Sequence, residues 1–246
     1  MATSVPLFQY LQRAPPDLSI FEAEKRSTAN TTSSSYSSDD IQSWSTWDDF
    51  NLEAIQRDYG PLLASARILD EPMPTSPPPP ITDEKGLHQR SLRCGFESQR
   101  ESRSQSAIDF GGGSLAKIYK TAIPDLAYFD TSRTDITDRP NLAPGNFKPS
   151  FKWFTGMEAR KGGELQFKQA LSQVNWYMQA NDTRYGFIIT DKELVPIRRV
   201  NVMGHLELAA SIPWGACGQH GEDKLTVLLA LWYLGMLISN GDWRMG

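Results

Sequence analysis

Cysteine is scarce in this sequence, and the two cysteines stand in unlike surroundings. Cys94 lies in a polar stretch and Cys217 in a glycine-rich loop, whereas a disulfide framework needs several cysteines at regular spacings. We therefore expect no disulfide-linked partner and a reducing, intracellular location in the nucleus or cytoplasm.

Long apolar runs and a secretory pattern are also lacking. The opening residues, MATSVPLFQYLQRAPPDLSI, have no basic flank followed by a continuous apolar segment, as a signal peptide would. The longest apolar run, residues 227–238, is shorter than the roughly 20 residues that a membrane span needs. We expect a soluble chain with no membrane partner.

Several functional motifs are missing as well. His205 and His220 have no metal-ligand spacing with each other or with Cys217, which argues against a zinc site. The glycines of 111–113 precede a predicted strand, the wrong order for a phosphate-cradling loop. The net charge of −4 argues against a protein that coats nucleic acid over its whole surface, but it permits a local basic site.

Composition divides the chain into four parts. Residues 1–45 are poor in apolar side chains and are predicted to form a disordered arm. Residues 46–70 form a helical segment that can pack on the core, with a helix over 48–59 that Asp48 or Asp49 caps and Gly60-Pro61 ends. Residues 71–106 are a Pro/Ser/Arg-rich linker, and residues 107–246 are an α/β domain.

Periodicity predicts the elements of that domain. The predicted strands are 115–119, 126–130, 147–154, 185–190, 194–200 and 205–210, and the predicted helices are 164–180 and 225–239. Alternation over 147–154 sets Lys148 and Lys152 on one face of a strand. Pro196 places its strand at an edge or at a bulge. The last helix is apolar all round, so it needs either a buried place in the core or a partner surface.

An ordered set of short motifs carries a resemblance. Pro124-Asp125 is followed by Gly145-Asn146-Phe147-Lys148 and then by a helix with Gln173 and Tyr177. This order resembles the PD-(D/E)xK nuclease-like superfamily, in particular fungal domains whose core reads G-D-x-K-x-S-x-K-W. The chain matches that pattern at Lys148, Ser150, Lys152 and Trp153. It departs from the pattern at Asn146, where an acid is expected, and the resemblance covers half of the chain, from residue 123 onward.

The resemblance implies a restriction-endonuclease-like α/β fold, with a central mixed sheet flanked by helices, and a Mg²⁺ or Mn²⁺ cofactor. Asp125 and Lys148 would be catalytic, and the metal ligands would be Asp125, Asn146 as a neutral oxygen, and Glu53 from the first helix. The implied substrate-binding residues are Lys152, Gln173 and Tyr177. Each residue also has a structural alternative: Asp125 as a turn acceptor, Lys148 as a solvated edge lysine, and Gln173 with Tyr177 as helix surface.

Two functions follow from these residues. The first is a degenerate or weakly active metal-dependent nuclease that acts on or binds nucleic acid. The second is a non-catalytic protein-interaction or regulatory protein that keeps the nuclease-like fold. In the second case the disordered arm or the apolar C-terminal helix would bind the protein partner.

Overall fold

The computed structural model describes residues 4–18, 29–30, 32–70, 108–119, 123–219 and 221–245. The predicted linker over 71–106 therefore lies outside the described residues. In chain order the elements are β1 (Ser4–Pro6), α1 (Leu7–Leu11), β2 (Ser43–Thr46), α2 (Leu52–Ser65), β3 (Arg67–Leu69), β4 (Ile108–Gly112), β5 (Leu126–Asp130), β6 (Gly145–Phe147), α3 (Gly163–Ala180), β7 (Tyr185–Ile189), β8 (Glu193–Arg199), β9 (His205–Leu208), β10 (Ile212–Pro213) and α4 (Val227–Ser239).

A mixed sheet of eight strands forms the centre of the molecule. Its order is β2-β9-β8-β7-β6-β5-β4, and β10 pairs with β8. The pairs β2–β9 and β6–β7 are parallel and the others are antiparallel. Helix α3 connects the parallel neighbours β6 and β7, as a parallel pair requires. The prediction of an α/β protein with a mixed sheet flanked by helices is confirmed at this level.

Helix α3 covers one face of the sheet, which we call the α3 face. Its buried stripe packs against alternate residues of the strands, Ile188, Val195, Ile197 and Leu206. The stripe consists of Phe167, Leu171, Val174 and Met178, as the sequence predicts. Trp153 stacks on Phe167 with ring centroids 5.3 Å apart. This layer fixes the position of α3 on β7, β8 and β9.

Helix α4 lies on the opposite face, which we call the α4 face. Tyr128, Phe147 and Phe187 belong to the same buried cluster as this helix, and the Tyr128 hydroxyl donates to the Leu231 carbonyl at 2.7 Å. Apolar side chains of α1 and α2 join the same cluster. Neighbours enclose this helix, so it occupies a buried place in the core, which is one of the two places that its all-round apolar sequence predicts.

The N-terminal arm contributes to this core, which corrects the prediction of disorder over 1–45 for the residues that the structure describes. Leu7, Tyr10 and Leu11 are buried in the α4 cluster. The Leu11 carbonyl accepts a hydrogen bond from the Thr226 hydroxyl. A few apolar side chains suffice to order this segment, because they pack against the apolar surface of α4. Residues 1–3, 19–28 and 31 lie outside the described residues.

The later part of the arm runs along α3. The main-chain N–H of Asn30 donates to the Gln166 side chain at 2.7 Å, and residues 38–40 form a 3-10 turn that contacts α3. Strand β2 then pairs with β9 at the edge of the sheet. The Ser/Thr-rich composition hides these contacts, since they use isolated side chains and backbone pairing.

Two predicted strands are wrong in position. Residues 115–119 form no strand, and the edge strand is β4, which contains Gly111 and Gly112. A Cβ at Gly113 would lie 1.8 Å from the Pro124 carbonyl oxygen, so glycine here permits close approach of two chain segments. The predicted strand over 147–154 ends at Phe147, because Pro149 has no N–H for a ladder and the chain turns.

Helix α2 and Pro196 also differ from expectation. The helix begins at Leu52, with the Asn51 side chain accepting from Ala54 N at 2.8 Å, and it continues through Pro61 to Ser65. Buried Leu63 favours this continuation. Pro196 lies in β8, an interior strand, so its placement at an edge is wrong, whereas the alternative of a bulge stays a prediction. Its carbonyl accepts from Ala209 N at 3.0 Å, between the stretches of β8 that pair with β9 and β10.

None of the helices in the described ranges has both the length and the apolar character needed to cross a bilayer. Cys217 carries a free thiol, whereas Cys94 lies outside the described residues.

Candidate functional site

Strands β5 and β6 bring Asp125 next to Asn146. The antiparallel register pairs Leu126 with Gly145, so one further step along the ladder sets Asp125 opposite Asn146. The Asp125 carboxylate also accepts a hydrogen bond from the main-chain N–H of Phe147 at 2.8 Å. Two residues of the predicted metal site are therefore neighbours.

The side chain of Asn146 is buried and unsatisfied. The residue is 1% exposed, and within the described part of the chain neither its Oδ1 nor its Nδ2 has a hydrogen-bond partner. Leaving a buried amide unpaired costs about 1–3 kcal/mol for each lost bond. Native proteins contain few such groups, and each one calls for an explanation. Packing in the core therefore does not explain why a polar side chain occupies position 146.

Lys148 follows on the same side of the sheet. Its main-chain N–H donates to the Ile189 carbonyl at 2.9 Å, which extends the parallel ladder of β6 and β7 by one residue. Alternation then sets Asn146 and Lys148 on the α3 face, opposite to Phe147. Lys148 is 3% exposed, so it is not the solvated edge lysine of the alternative interpretation.

Helix α3 directs Gln173 and Tyr177 toward this place. The Tyr177 hydroxyl donates to the Ile123 carbonyl at 3.3 Å, and the Gln173 amide donates to that hydroxyl at 3.5 Å. Burial raises the pKa of Tyr177, and the Asp125 carboxylate raises it further. The phenol is therefore a neutral hydrogen-bond donor at physiological pH.

Two predicted site residues lie elsewhere. Glu53 is exposed on α2, whose buried side chains join the cluster on the α4 face, so the structure does not bring it to Asp125. Lys152 lies in the turn after β6, where its N–H donates to the Pro149 carbonyl at 2.8 Å. It does not share a strand face with Lys148, because no strand continues to residue 152.

Two buried carboxylates hold the loop between β6 and α3. Asp191 accepts from the Ser150 N–H at 2.7 Å and from the Ser150 hydroxyl at 2.9 Å. Glu193 accepts from the Thr155 N–H at 2.7 Å. The sequence indicates only a turn at 191–193, and it contains no local signal that these acids reach a distant loop. They position the chain that follows Lys148.

The sequence also did not predict the aromatic neighbours of Trp176, which lie beside the site. Trp176 lies 6.2 Å from Tyr36, 6.2 Å from Tyr119 and 5.3 Å from Tyr177, measured between ring centroids. Burial, followed by the proximity of Tyr177, raises the pKa of Tyr36 to about 12. The available signal was the position of Trp176 next to Tyr177 on the helix border, but the sequence analysis placed Tyr36 in a disordered arm.

Asp125 and Asn146 alone offer few of the ligands that a resident divalent cation prefers. Mg²⁺ prefers several oxygen ligands with carboxylate charge, whereas Asp125 and Asn146 supply one carboxylate and one neutral amide. Among the described residues, no group of three or more His, Cys, Asp or Glu side chains is placed to hold a metal ion. A Mg²⁺ or Mn²⁺ cofactor therefore stays a prediction.

The site thus combines an acid, a buried amide, a lysine and two polar residues of a helix on one face of a mixed sheet. Comparison of the chain with protein-family models, with curated proteins and with solved structures finds no match.

Proposed function

We propose that this chain is a degenerate PD-(D/E)xK nuclease-like protein of restriction-endonuclease-like fold, which binds nucleic acid and has lost metal-dependent cleavage. One observation carries the proposal: Asp125 and Asn146 are neighbours on the α3 face, and Lys148 follows on the same strand line. The order of acid, second polar residue and lysine agrees with the resemblance. The chain order of the elements β4, β5, β6, α3 and β7 also agrees with the resemblance.

The residues of the site suit a phosphate group better than a metal ion. Lys148 supplies a positive charge that offsets phosphate charge, and the Asn146 amide, which is unpaired among the described residues, supplies a donor. Tyr177 adds a neutral hydroxyl. Since a second carboxylate is missing, the site lacks the charge with which a metal-dependent phosphodiesterase would hold its cation and activate water. Binding without efficient cleavage is the expected result.

Binding and cleavage test this proposal separately. We expect a fluorescein-labelled oligonucleotide to bind the full chain in EDTA at low salt, and Lys148→Met to weaken this binding about tenfold. Lys192→Met is the matched control, because that side chain is 76% exposed on a turn. Equal affinity of wild type and Lys148→Met would contradict a role for this site in binding.

The metal arm of the test uses calorimetry with Mn²⁺ and a plasmid cleavage assay. We expect no binding tighter than millimolar and no cleavage above background. Tight Mn²⁺ binding that disappears in Asp125→Ala would show instead that the metal site is intact. If plasmid cleavage above background accompanied this binding, the protein would be an active nuclease and the proposed loss of cleavage would be wrong.

A second candidate function is a non-catalytic protein-interaction or regulatory role. The burial of Asn146 and Lys148, which are 1% and 3% exposed, favours it, because little of either side chain is open to a polyanion. Failure of the wild-type protein to bind any oligonucleotide at low salt would support this candidate over the first. Under both candidates, an intracellular location in the nucleus or cytoplasm is the prediction.

A further inference from the structure

Three segments that are distant in sequence converge on Trp176. Tyr36 comes from the arm, Tyr119 from the segment before β5, and Trp176 from α3. We call these three side chains the aromatic cluster. Tyr119 is 39% exposed, Trp176 is partly exposed and Tyr36 is buried. The rings of Tyr119 and Trp176 are therefore accessible to solvent, and buried Tyr36 contacts Trp176.

The aromatic cluster lies outside the three packed clusters of the core, although Tyr36 itself is buried. None of its three members belongs to the buried clusters that pack the described parts of the sheet and helices. The contact of α3 with the sheet uses the stripe of Phe167, Leu171 and Val174 instead. Core packing therefore does not explain why a tryptophan lies between two tyrosines at this border of the helix.

The cluster borders the candidate site. The Trp176 ring lies 5.3 Å from the Tyr177 ring, and the Tyr177 hydroxyl is bonded to the Ile123 carbonyl, two residues before Asp125. The segment that carries Tyr119 also carries Lys117, which is exposed and whose N–H donates to the Arg139 carbonyl at 2.7 Å. Ring surface and an exposed cation therefore belong to one segment, and the Trp176 ring adjoins Tyr177 of the candidate site.

We propose that the aromatic cluster is a base-stacking platform for single-stranded nucleic acid whose phosphates pass the site of Asp125, Asn146 and Lys148. This inference rests on the proposed function and adds the substrate class. Every base has a π face that can stack on an aromatic side chain, whatever its sequence. In a duplex those faces are already stacked on neighbouring bases, so the platform selects unpaired strands.

The test measures the affinity of the full chain for a fluorescein-labelled oligo-dT and for a blunt hairpin duplex, in EDTA. Trp176→Leu removes the π face and keeps an apolar side chain. Trp243→Leu is the matched control, because Trp243 packs with the cluster on the α4 face. We expect Trp176→Leu to weaken oligo-dT binding about tenfold or more, and Trp243→Leu and hairpin binding to change less than twofold. Trp176→Phe, which keeps an aromatic ring, should lose less and serves if the leucine variant does not fold.

Lys148→Met, measured alongside, separates the two proposals. If Lys148→Met weakens binding and neither Trp176 variant does, the platform is wrong and the proposed function stands. If the Trp176 variants weaken binding and Lys148→Met does not, the platform is supported and the phosphate role of the site is wrong. Absence of oligo-dT binding by the wild-type protein, or equal affinity for the hairpin, overturns the platform.

Discussion

The carboxylate of Asp125 accepts a hydrogen bond at 2.8 Å from the main-chain N–H of Phe147. The β5–β6 ladder itself contains one residue pair, Leu126 with Gly145, so this bond lengthens a very short strand contact. Asp125 is therefore an acceptor for the neighbouring strand, and not the turn acceptor of the alternative interpretation. The same bond keeps Asn146 in place beside the acid.

Replacing Asn146 by Asp should create a response to metal. The change adds a carboxylate of nearly equal volume at a buried position beside Asp125, so without metal the two charges should repel and lower stability by roughly 1–3 kcal/mol. Mn²⁺ should recover stability, since a ligand that binds only the folded state stabilises it. Thermal melts with and without Mn²⁺ measure both the loss of stability and its recovery. Each kcal/mol should shift the melting temperature by about 2–4 °C.

Asn175→Asp is the matched control for this prediction. Asn175 is also 1% exposed and its Oδ1 is unpaired among the described residues, but it lies on α3 and is not part of the β5–β6 ladder. It should lose stability without recovery by Mn²⁺. An equal response of both variants to Mn²⁺, or none in Asn146→Asp, would mean that Asp125 and Asn146 do not form one cation site.

Gly145→Ala should destabilise the protein by roughly 1–3 kcal/mol. A Cβ at this position would lie 2.1 Å from the Phe187 ring, and both residues are buried in the interior of the sheet. Gly60→Ala should instead raise stability, because no atom of the described residues lies within 4 Å of the added Cβ and alanine is favoured over glycine inside α2 by about 0.5–1 kcal/mol. Urea melts that show no loss for Gly145→Ala would contradict the close approach of β6 and β7.

Truncation of Leu7 should show that the arm belongs to the core. Leu7 is 1% exposed among α4 and its neighbours, so Leu7→Ala should cost about 2–5 kcal/mol. Gln9→Ala, at an exposed position of α1, should change stability by less than about 0.5 kcal/mol. Equal denaturant midpoints for both variants would contradict the packing of Leu7 in the core.

Stability should fall as the pH rises from 10 to 12. Burial raises the pKa of Tyr233 from its ordinary value of 10.0 to about 12, and the charge of Asp58 adds to this shift. In that window the unfolded chain has lost the phenolic proton and the folded chain has kept it. The contribution of Tyr233 to stability is therefore fully present below pH 10 and is lost toward pH 12, at up to about 1.4 kcal/mol per pH unit.

Urea melts at pH 9, 10, 11 and 11.5 measure this dependence for wild type and Tyr233→Phe. The phenylalanine variant should lose stability less steeply above pH 10, because it has one phenol fewer to ionise. Between pH 7 and 9 the two proteins should differ by a constant amount. Parallel curves across the whole range would show that the buried phenol does not control the alkaline transition.

The sequence was most informative where one element repeats a pattern over many residues. Helix α3 extends over 18 residues, and its apolar spacing predicted both its length and its buried stripe. Strands β7 and β8 were predicted within one residue of their observed ends, since continuous β-branched and apolar residues surround a short turn. The sequence alone also shows the chain order of the site residues, which are Asp125, Asn146, Lys148, Gln173 and Tyr177.

Tertiary structure decided what no local pattern contains. The strand over 147–154 was mispredicted because alternation of Phe147, Phe151 and Trp153 suits a strand, but Pro149 removes the donor that the ladder needs. Glu53 was assigned to the site from its position in the chain, whereas packing of Ile55 and Leu63 sets α2 on the opposite face of the sheet. The side of the sheet on which a helix packs depends on its contacts with the other layers and cannot be inferred from the helix sequence alone.

By itself, the sequence determined the α/β class, the long helix and the residue types that meet at the candidate site, because these depend on periodicity and on chain order. Only the tertiary structure decided that the arm joins the core, that Asn146 is buried with no side-chain partner among the described residues, and that Tyr36 and Tyr119 meet Trp176. These features depend on contacts between segments far apart in the chain. Such contacts form only when neighbouring layers supply the apolar surface that offsets the entropy of ordering.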